Sequence, residues 1–599
     1  MCKSIIQALT LVIFMVSTTA TTYAQSAIAF QVSFTNPYAH YVDVEMFISG
    51  VKKDKIEIKM PVWTPGSYLI REFSKNVDEL SVVNSKNHSL NVEKTSKNTW
   101  LITTGKNSEI KVRYRVYAFE VSVRTSFVDA SHAFLSPSGI FMYVNGEIKA
   151  PATVTINPYK GWTKISTGLE PVKGKLNTFL AENFDVLFDS PFEIGNHEVF
   201  EFNASGVNHE VAMYGGGNYN KENLKRDISK IVVEETAVFG VNPNKRYVFI
   251  VHNFSSGGGG LEHANSTVLG ATRNNYTTEA GYTNFLSLVA HEYFHLWNVK
   301  RLRPIALGPF NYDEENYTTN LWIAEGFTSY YDKLILHRAG FYSPDKYLEK
   351  LAGSITNLEN QPGNRVQSVS ESSFDAWIKA YRPNENSRNT TISYYDKGSM
   401  IALIMDLEIL NATQGKLSLD NLMRSMYDEY YLKQGRGFTD AEFKAMAEKI
   451  AGKSFDSLYA DHINGTKTID YSKYLNYAGL TLTDEASGRN DPYLGLGTSL
   501  KDGKLMVTEV VSNSSAFKDG INVNDEIVGI DNNRVSELDK IMATKKVGDK
   551  IDVLVNRDGI LINYKVTLTK NPNFKYKIDQ MESPSVSQQN ILKKWLNIN

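Results

Sequence analysis

Two histidines four residues apart flank a glutamate in the string HEYFH, which contains His291, Glu292 and His295. On an α-helix, residues i and i+4 lie on one face, so both imidazoles can bind one metal ion while the glutamate projects beside them. Chance is a poor explanation, because an HExxH string is expected only roughly 0.01 times in such a chain. The pattern predicts a helix with Asn284 as its N-cap and a basic segment, residues 300–303, after its end. The alternative is a pair of histidines on a helix face with ordinary hydrogen bonds.

A third metal ligand is needed, because a catalytic zinc site uses three protein ligands and one open position. Glu325, in the string LWIAEGFTSYY, follows His295 by 30 residues (325 − 295) and is the best candidate. Its helical pattern places Trp322, Phe327 and Tyr330 where they could surround it, and a buried carboxylate needs a partner such as zinc. The alternative is a solvated glutamate on a helix surface.

A glycine-rich segment, SSGGGGLEHANS at residues 255–266, lies shortly before this motif. A flexible loop is the simplest interpretation, and the segment lacks the Lys-Ser or Lys-Thr of a phosphate-binding loop. Glycine also lets a backbone approach a ligand closely, and an extended peptide can pair with such a strand. Gly259 and Gly260 are therefore candidate substrate-binding residues.

The elements that must position these residues fall into several units, because 599 residues exceed what one hydrophobic core usually supports. Alternating apolar and polar residues predict strands from about residue 27 to 200, interrupted by a rigid loop rich in Pro and Gly at residues 60–73. Helical periodicity dominates from about residue 220 to 475. Short strands with turn signals follow from about residue 493 to 570, and the tail beyond them predicts no more than a short helix.

The N-terminus has the pattern of a secretory signal peptide. Lys3 precedes an apolar run at residues 5–16 and small residues up to Ala24, where we expect cleavage and hence export to the periplasm or the medium. An uncleaved anchor is the alternative, although the run is short for a membrane span. The single cysteine, Cys2, would leave with this peptide, so the mature chain would have no disulfide. We expect no membrane span after cleavage, and the net charge of −2 gives no case for nucleic-acid binding.

The HExxH pair with a glutamate in an LWxxEG context resembles the gluzincin metallopeptidases. The longer strings HEYFHLWNVKRLRP and LWIAEGFTSYY, with VWTPGSYLIREF and DVLFDSPFEIG earlier in the chain, resemble the M61 glycyl aminopeptidase family. M1 aminopeptidases share the LWxxEG context but have a shorter spacing between the second histidine and the glutamate, so the spacing favours M61.

The resemblance implies a multidomain α+β fold with six segments. We expect a signal peptide at residues 1–24, a β-sandwich-like domain at 25–205, a thermolysin-like zinc catalytic domain at 206–345, a helical part at 346–475, a PDZ domain at 476–575 and a tail at 576–599.

The resemblance also implies an activity and its residues. One zinc ion per chain would be bound by His291, His295 and Glu325, with Glu292 as the general base. Tyr395, in the string YDKG, is similar to the tyrosine that stabilises the oxyanion in M1 enzymes, although adjacent Tyr394 and a plain core tyrosine are alternatives.

The string GGLEH is similar to the exopeptidase segment of M1 enzymes, whose glutamate binds the α-ammonium group of a peptide. Glu262 occupies that place, with a loop-stabilising acid as the alternative. The family further implies a preference for small N-terminal residues, Gly and Ala above all. A zinc endopeptidase and a non-catalytic PDZ scaffold of the cell envelope are the competing functions.

The C-terminal block is similar to a PDZ domain, with YLGLG as a loop that could bind the carboxylate of a C-terminal peptide ligand. Asn524 stands where a glycine is usual, and asparagine tolerates the left-handed conformation that this turn requires. The alternative is a module that only packs on the catalytic unit or gates substrate entry.

Overall fold

The computed structural model of this protein describes residues 27–598. The predicted signal peptide and Cys2 lie outside the described residues. The predicted α+β multidomain architecture is confirmed, and among the described residues no helix is both long and apolar enough to cross a membrane.

The N-terminal domain is built from three sheets around one core. Strand Tyr41–Ser49 shows why the sequence forms sheets: every second residue, from Val42 to Ile48, is buried while the intervening ones are partly exposed. The seven-stranded sheet has the order Glu170–Pro171, Thr178–Ala181, Ala152–Asn157, Ala27–Ser33, Tyr41–Ser49, Glu109–Tyr117, Val77–Asn84. Two four-stranded sheets share its core, with the orders Tyr143–Val144, Lys55–Lys59, Thr99–Thr103, Val92–Ser96 and Lys164–Thr167, Phe192–Gly195, His132–Leu135, Phe127–Val128.

The predicted catalytic domain opens with a five-stranded sheet. Its order is Glu198–Ala204, Val207–Tyr214, Arg246–Phe254, Ser266–Thr272, Gly260–Glu262. The edge strand Gly260–Glu262 runs antiparallel to Ser266–Thr272. Strand Glu198–Ala204 pairs with Val207–Tyr214, so it belongs to this sheet although the predicted boundary at 205 left it in the N-terminal domain. The predicted boundary lies too late in the chain because strand Glu198–Ala204 alternates buried and exposed residues like the strands of the N-terminal domain.

Helices pack on one face of this sheet, and further helices follow as far as residue 477. They are Lys221–Phe239, Glu279–Phe294, Trp322–Phe327, Thr328–Arg338, Pro344–Glu359, Val369–Phe374, Ser387–Thr390, Tyr394–Ala412, Leu419–Met426, Tyr427–Lys433, Asp440–Ala451, Asp456–Leu458, Tyr459–Ile463 and Tyr471–Tyr477. The helix that carries HEYFH, which we call the motif helix, is Glu279–Phe294. Its N-cap is Thr278, whose side chain accepts a hydrogen bond from the Gly281 amide, so the prediction of Asn284 as N-cap was wrong. The helix can begin this early because residue 281 is a glycine, where a Cβ would collide with the Asn275 carbonyl oxygen.

The segment Trp322–Phe327 is a π-helical turn packed against helix Tyr394–Ala412. Two glycines make the close approach possible, because a Cβ on Gly326 would lie 2.5 Å from the Gly398 Cα. This contact brings Glu325 and Tyr395, which are 70 residues (395 − 325) apart in the chain, to the same place.

The C-terminal block contains the PDZ strands Leu496–Lys501, Lys504–Val510, Glu526–Ile530, Asn533–Arg534, Lys550–Arg557 and Ile560–Thr567, with helices Ser515–Asp519 and Leu538–Met542. Asn524 has φ 72, the left-handed conformation expected for this turn. The block contacts the helical part, where the Asn389 side chain donates to the Val510 carbonyl at 2.8 Å and accepts from the Ser512 amide at 2.8 Å.

The chain returns to the catalytic unit after the PDZ strands. Strand Tyr576–Gln580 pairs with Leu480–Asp484, and helix Val586–Leu596 follows. Trp595 of this helix is fully buried, and its indole nitrogen donates to the Tyr330 hydroxyl at 2.7 Å. The tail is therefore part of the folded core of the catalytic unit.

Candidate active site

The three predicted metal ligands converge. The Nε2 atoms of His291 and His295 lie 3.5 and 3.2 Å from the same oxygen, Oε2 of Glu325. Glu325 and His295 are buried and His291 is partly buried. Two imidazole nitrogens and one carboxylate oxygen form a donor set typical of catalytic zinc.

The other nitrogen of each imidazole is held by a hydrogen bond. His295 Nδ1 donates to the Asn298 carbonyl at 2.8 Å, and His291 Nδ1 donates to Asp332 Oδ2 at 3.3 Å. Because each Nδ1 carries its proton, each Nε2 presents a lone pair to the common point near Glu325. The donors present therefore fit a zinc ion. Asp332 was missed from the sequence, although its place seven residues (332 − 325) after Glu325, about two turns, would have pointed to it.

The chain just after the motif helix is strained and locks the third ligand in place. Val299 has φ 111, a rare conformation for a β-branched residue. The preceding Asn298 side chain donates to the carbonyls of Ile323 and Ala324 at 2.9 and 3.1 Å. These bonds tie the end of the motif helix to the turn that carries Glu325.

Glu292 lies against the edge strand Gly260–Glu262, which together with Gly259 we call the glycine strand. Only 4% of it is exposed, and its Oε2 has no hydrogen-bond partner among residues 27–598. Burial raises the pKa of Glu292 to about 7, against the lowering effect of His291 and His295. A Cβ on Gly260 would collide with this carboxylate, so only glycine fits there.

Glu262 ends the glycine strand and points into the same cleft. It is 4% exposed, and its Oε1 has no hydrogen-bond partner in the described part of the chain. One acceptor oxygen each of Glu262 and Glu292 lies within 4.8 Å of a ring nitrogen of His295. The structure thus brings Gly259, Gly260 and Glu262 to the predicted metal site, in a cleft of about 480 Å³ that all of them line.

Asp189, in the string DVLFDSPFEIG, holds the end of this strand. It accepts from His263 Nδ1 at 3.0 Å and from the Ala264 amide at 2.8 Å, and it pairs with Lys300 at 2.7 Å. Burial raises the pKa of Asp189, but Lys300 and His263 outweigh that effect and hold it at about 2. The N-terminal domain therefore anchors both the glycine strand and the segment after the motif helix.

The loop at residues 60–73 closes the cleft from the N-terminal domain. Gly66, at φ 85, lies so close to Glu262 that a Cβ there would be 2.6 Å from Glu262 Oε1. The Gly66 carbonyl accepts a hydrogen bond from the Tyr381 hydroxyl at 3.3 Å, and Tyr68 packs edge-on against Tyr381. The sequence indicated a rigid loop but not its contact with Glu262.

Tyr395 is better placed than Tyr394 for the oxyanion role. Tyr395 lines the cleft with the metal ligands, and its ring centroid lies 6.1 Å from that of His291. Tyr394 is 1% exposed and stacks on Tyr395 with centroids 4.8 Å apart. Burial raises the pKa of Tyr395 well above its ordinary value, so its hydroxyl keeps the proton that a hydrogen bond to an oxyanion requires.

Three parts of the chain match known families. Residues 29–196 match the Peptidase M61 N-terminal domain, residues 284–401 match the M61 glycyl aminopeptidase, and residues 492–568 match a PDZ domain. No curated protein matches the chain.

The chain is similar to solved structures to different degrees. A crystal structure of an aminopeptidase N family protein from Idiomarina loihiensis is 30% identical, with a TM-score of 0.88, covering 95% of this chain and 100% of that chain. An M1 zinc metallopeptidase from Deinococcus radiodurans is 13% identical, with a TM-score of 0.47, covering 74% of this chain and 94% of that chain. Together with the matched domains, the first of these structures shows that the chain belongs to the M61 peptidase family.

Proposed function

We propose that this protein is an exported zinc aminopeptidase that removes small N-terminal residues, Gly and Ala above all, from peptides. The observation that carries the proposal is the buried carboxylate of Glu262, with a free acceptor oxygen beside Glu292 and the metal ligands. A buried, unpaired carboxylate is costly unless a cation joins it. The free α-ammonium group of a peptide is such a cation.

His291, His295 and Glu325 would hold one zinc ion per chain, which when bound polarises the scissile carbonyl and activates a water molecule. Glu292 takes a proton from the attacking water and passes it to the leaving amine, a task suited to a buried carboxylate beside the metal ligands. Tyr395 donates a hydrogen bond to the developing oxyanion.

Glu262 sets which end of the peptide enters. Its charge-assisted hydrogen bond to the α-ammonium group places the first peptide bond at Glu292. The neighbouring loop brings Gly66 against the same carboxylate, which leaves little room for residues beyond the amine. The glycine strand offers backbone groups at Gly259 and Gly260 that can pair with the extended substrate.

A peptide panel tests the proposal. We expect release of N-terminal Gly and Ala faster than Leu or Phe from otherwise identical peptides, and no cleavage of their N-acetylated forms. Efficient cleavage of N-acetylated peptides would support a zinc endopeptidase instead. Absence of turnover across the whole panel by the zinc-loaded protein would support the scaffold alternative.

Preference for small residues rests on the family match, whose description is a glycyl aminopeptidase. Export rests on the apolar run and small residues before residue 25. Mass spectrometry of the mature protein purified from its native host checks export, with a new N-terminus near residue 25 expected and an intact Met1 contradicting it.

We also propose that the PDZ domain binds a C-terminal peptide through the YLGLG loop. The domain match and the left-handed turn at Asn524 support this role. Fluorescence titration with a C-terminal peptide library and its amidated counterparts tests it, since only free carboxylates should bind.

A further inference from the structure

A second cleft adjoins the active site. It has a volume of about 620 Å³ and shares Arg124 and Tyr395 with the catalytic cleft. Arg71 and Gln367 line its interior, and Lys379 also lines it. Arg124 and Tyr395 therefore border both clefts, so the second cleft begins at a wall of the catalytic cleft.

Two arginines in this cleft have no carboxylate partner in the described part of the chain. Arg71 donates from Nη2 to the Ser67 hydroxyl at 2.9 Å, and Arg124 donates from Nη2 to the Gly260 carbonyl at 3.1 Å. The Nε atom of each is buried and has no hydrogen-bond partner among residues 27–598. Burial lowers the pKa of Arg71, and the nearby charge of Arg124 lowers it further, while Glu120 acts in the opposite direction without forming an ion pair. Two close, partly buried guanidinium groups repel each other unless an anion lies between them.

Gln367 adds a third free donor. It is 2% exposed, and its Oε1 accepts from the Ile392 amide at 3.1 Å, which fixes the orientation of the side chain. Its Nε2 is buried without a partner in the described part of the chain. A buried amide donor without an acceptor is unfavourable, so a ligand acceptor is the natural complement. All three unused groups are donors, which fits an anion and not a cation.

Lys379, which lines the same cleft, differs from the two arginines because it has carboxylate partners. Its amine lies 2.8 Å from Asp375 and 3.6 Å from Glu371, so its charge is already compensated. The uncompensated charge therefore belongs to Arg71 and Arg124, of which Arg124 donates to the Gly260 carbonyl.

We propose that Arg71, Arg124 and Gln367 form a subsite for a substrate carboxylate, which makes short peptides with a free C-terminus the preferred substrates. The inference rests on the proposed aminopeptidase function, because Glu262 must hold the other end of the peptide. A guanidinium group and a carboxylate form charge-assisted hydrogen bonds with matching planar geometry. An Asp or Glu side chain of the substrate offers the same chemistry, and the test separates these two sources.

The test compares peptide pairs that differ only in one carboxylate. Ala-Ala against Ala-Ala amide examines the C-terminal carboxylate, and Ala-Asp amide against Ala-Asn amide examines a side-chain carboxylate. We expect kcat/KM of the wild type to favour the acid of the first pair by roughly ten- to a hundredfold, mostly through KM. Arg71→Gln should remove most of this ratio, and Arg71→Lys should restore part of it. Lys379→Gln is the matched control on the same cleft and should leave the ratio unchanged.

A binding measurement makes the result independent of turnover. Calorimetric titration of the Glu292→Gln protein with the same peptides should give a weaker Kd for the amide, and adding Arg71→Gln should abolish the difference. Equal Kd values for Ala-Ala and Ala-Ala amide, with the same result for the side-chain pair, would overturn the subsite even if both peptides are hydrolysed. A carboxylate preference confined to the side-chain pair would support the subsite and assign it to acidic residues. Failure of the proposed function would give a different result. The protein would still bind the acid more tightly than the amide, but the wild type would hydrolyse neither peptide.

Discussion

Replacing Gly66 by alanine places a methyl group against the carboxylate of Glu262. The new Cβ would lie 2.6 Å from Glu262 Oε1, and ordinary contact begins at 3.4 Å, so the carboxylate must move by about 0.8 Å. A displacement of about 1 Å at a substrate-positioning group can lower the rate by about a hundredfold. We expect kcat/KM for the release of N-terminal alanine to fall between tenfold and a hundredfold.

The left-handed backbone at Gly66 adds a second cost, which a matched variant isolates. Gly146 lies in the same domain at φ 85, as Gly66 does, but a Cβ there has no neighbour within 4 Å. Both alanine variants should lose about 1–2 kcal/mol of stability because of the backbone, measured by urea unfolding. Only Gly66→Ala should lose activity in a steady-state assay. Equal kcat/KM values for the two variants would refute the claim that Gly66 sets the position of Glu262.

Three further changes test the surroundings of the site. Asp332→Asn should weaken zinc binding by about 10- to 100-fold in a chelator competition, because a neutral amide replaces the charged carboxylate that accepts the His291 Nδ1 proton; unchanged affinity would contradict this role. Trp595→Ala should lower the free energy of unfolding by about 3–5 kcal/mol, because a fully buried indole bonded to Tyr330 is lost; an unchanged urea midpoint would show that the last helix is not docked. Burial raises the pKa of Glu193, but two hydrogen-bonded histidines hold it at about 2, below its ordinary 4.5. Its depressed pKa stabilises the fold above about pH 4.5, and this contribution disappears as the pH falls toward 2. The free energy of unfolding, measured by urea at several pH values, should therefore depend less on pH over that range in Glu193→Gln than in the wild type.

The metal ligands could be predicted from sequence because local helix geometry determines their placement. His291 and His295 are one turn apart on one helix, and Glu325 lies in a buried helical pattern that leaves a carboxylate in need of a partner. The last helix also has a local signal in the sequence, because Ser585 and Gln588 form a capping box, which marks a helix start.

The remaining parts of the site depend on contacts between distant segments. Gly66 and Glu262 are 196 residues (262 − 66) apart, and neither hydrophobic periodicity nor a turn signal relates them. In the sequence, Arg71 and Arg124 are indistinguishable from other charged residues of a β domain. Only the folded chain shows that both line the second cleft, whose lining residues include no Asp or Glu. The walls of the site therefore come from tertiary contacts, which local sequence patterns do not reveal, whereas the metal ligands are already indicated by the sequence.

The most direct test of the central claim uses the Glu292→Gln protein. Its zinc content and its rate of N-terminal alanine release are measured on the same sample. The three ligands are untouched, so we expect about one zinc per chain, as in the wild type. Loss of the general base should lower kcat by at least about a hundredfold. Full activity with bound zinc would contradict the assignment of Glu292, and full activity of metal-free wild-type protein would contradict the zinc peptidase itself.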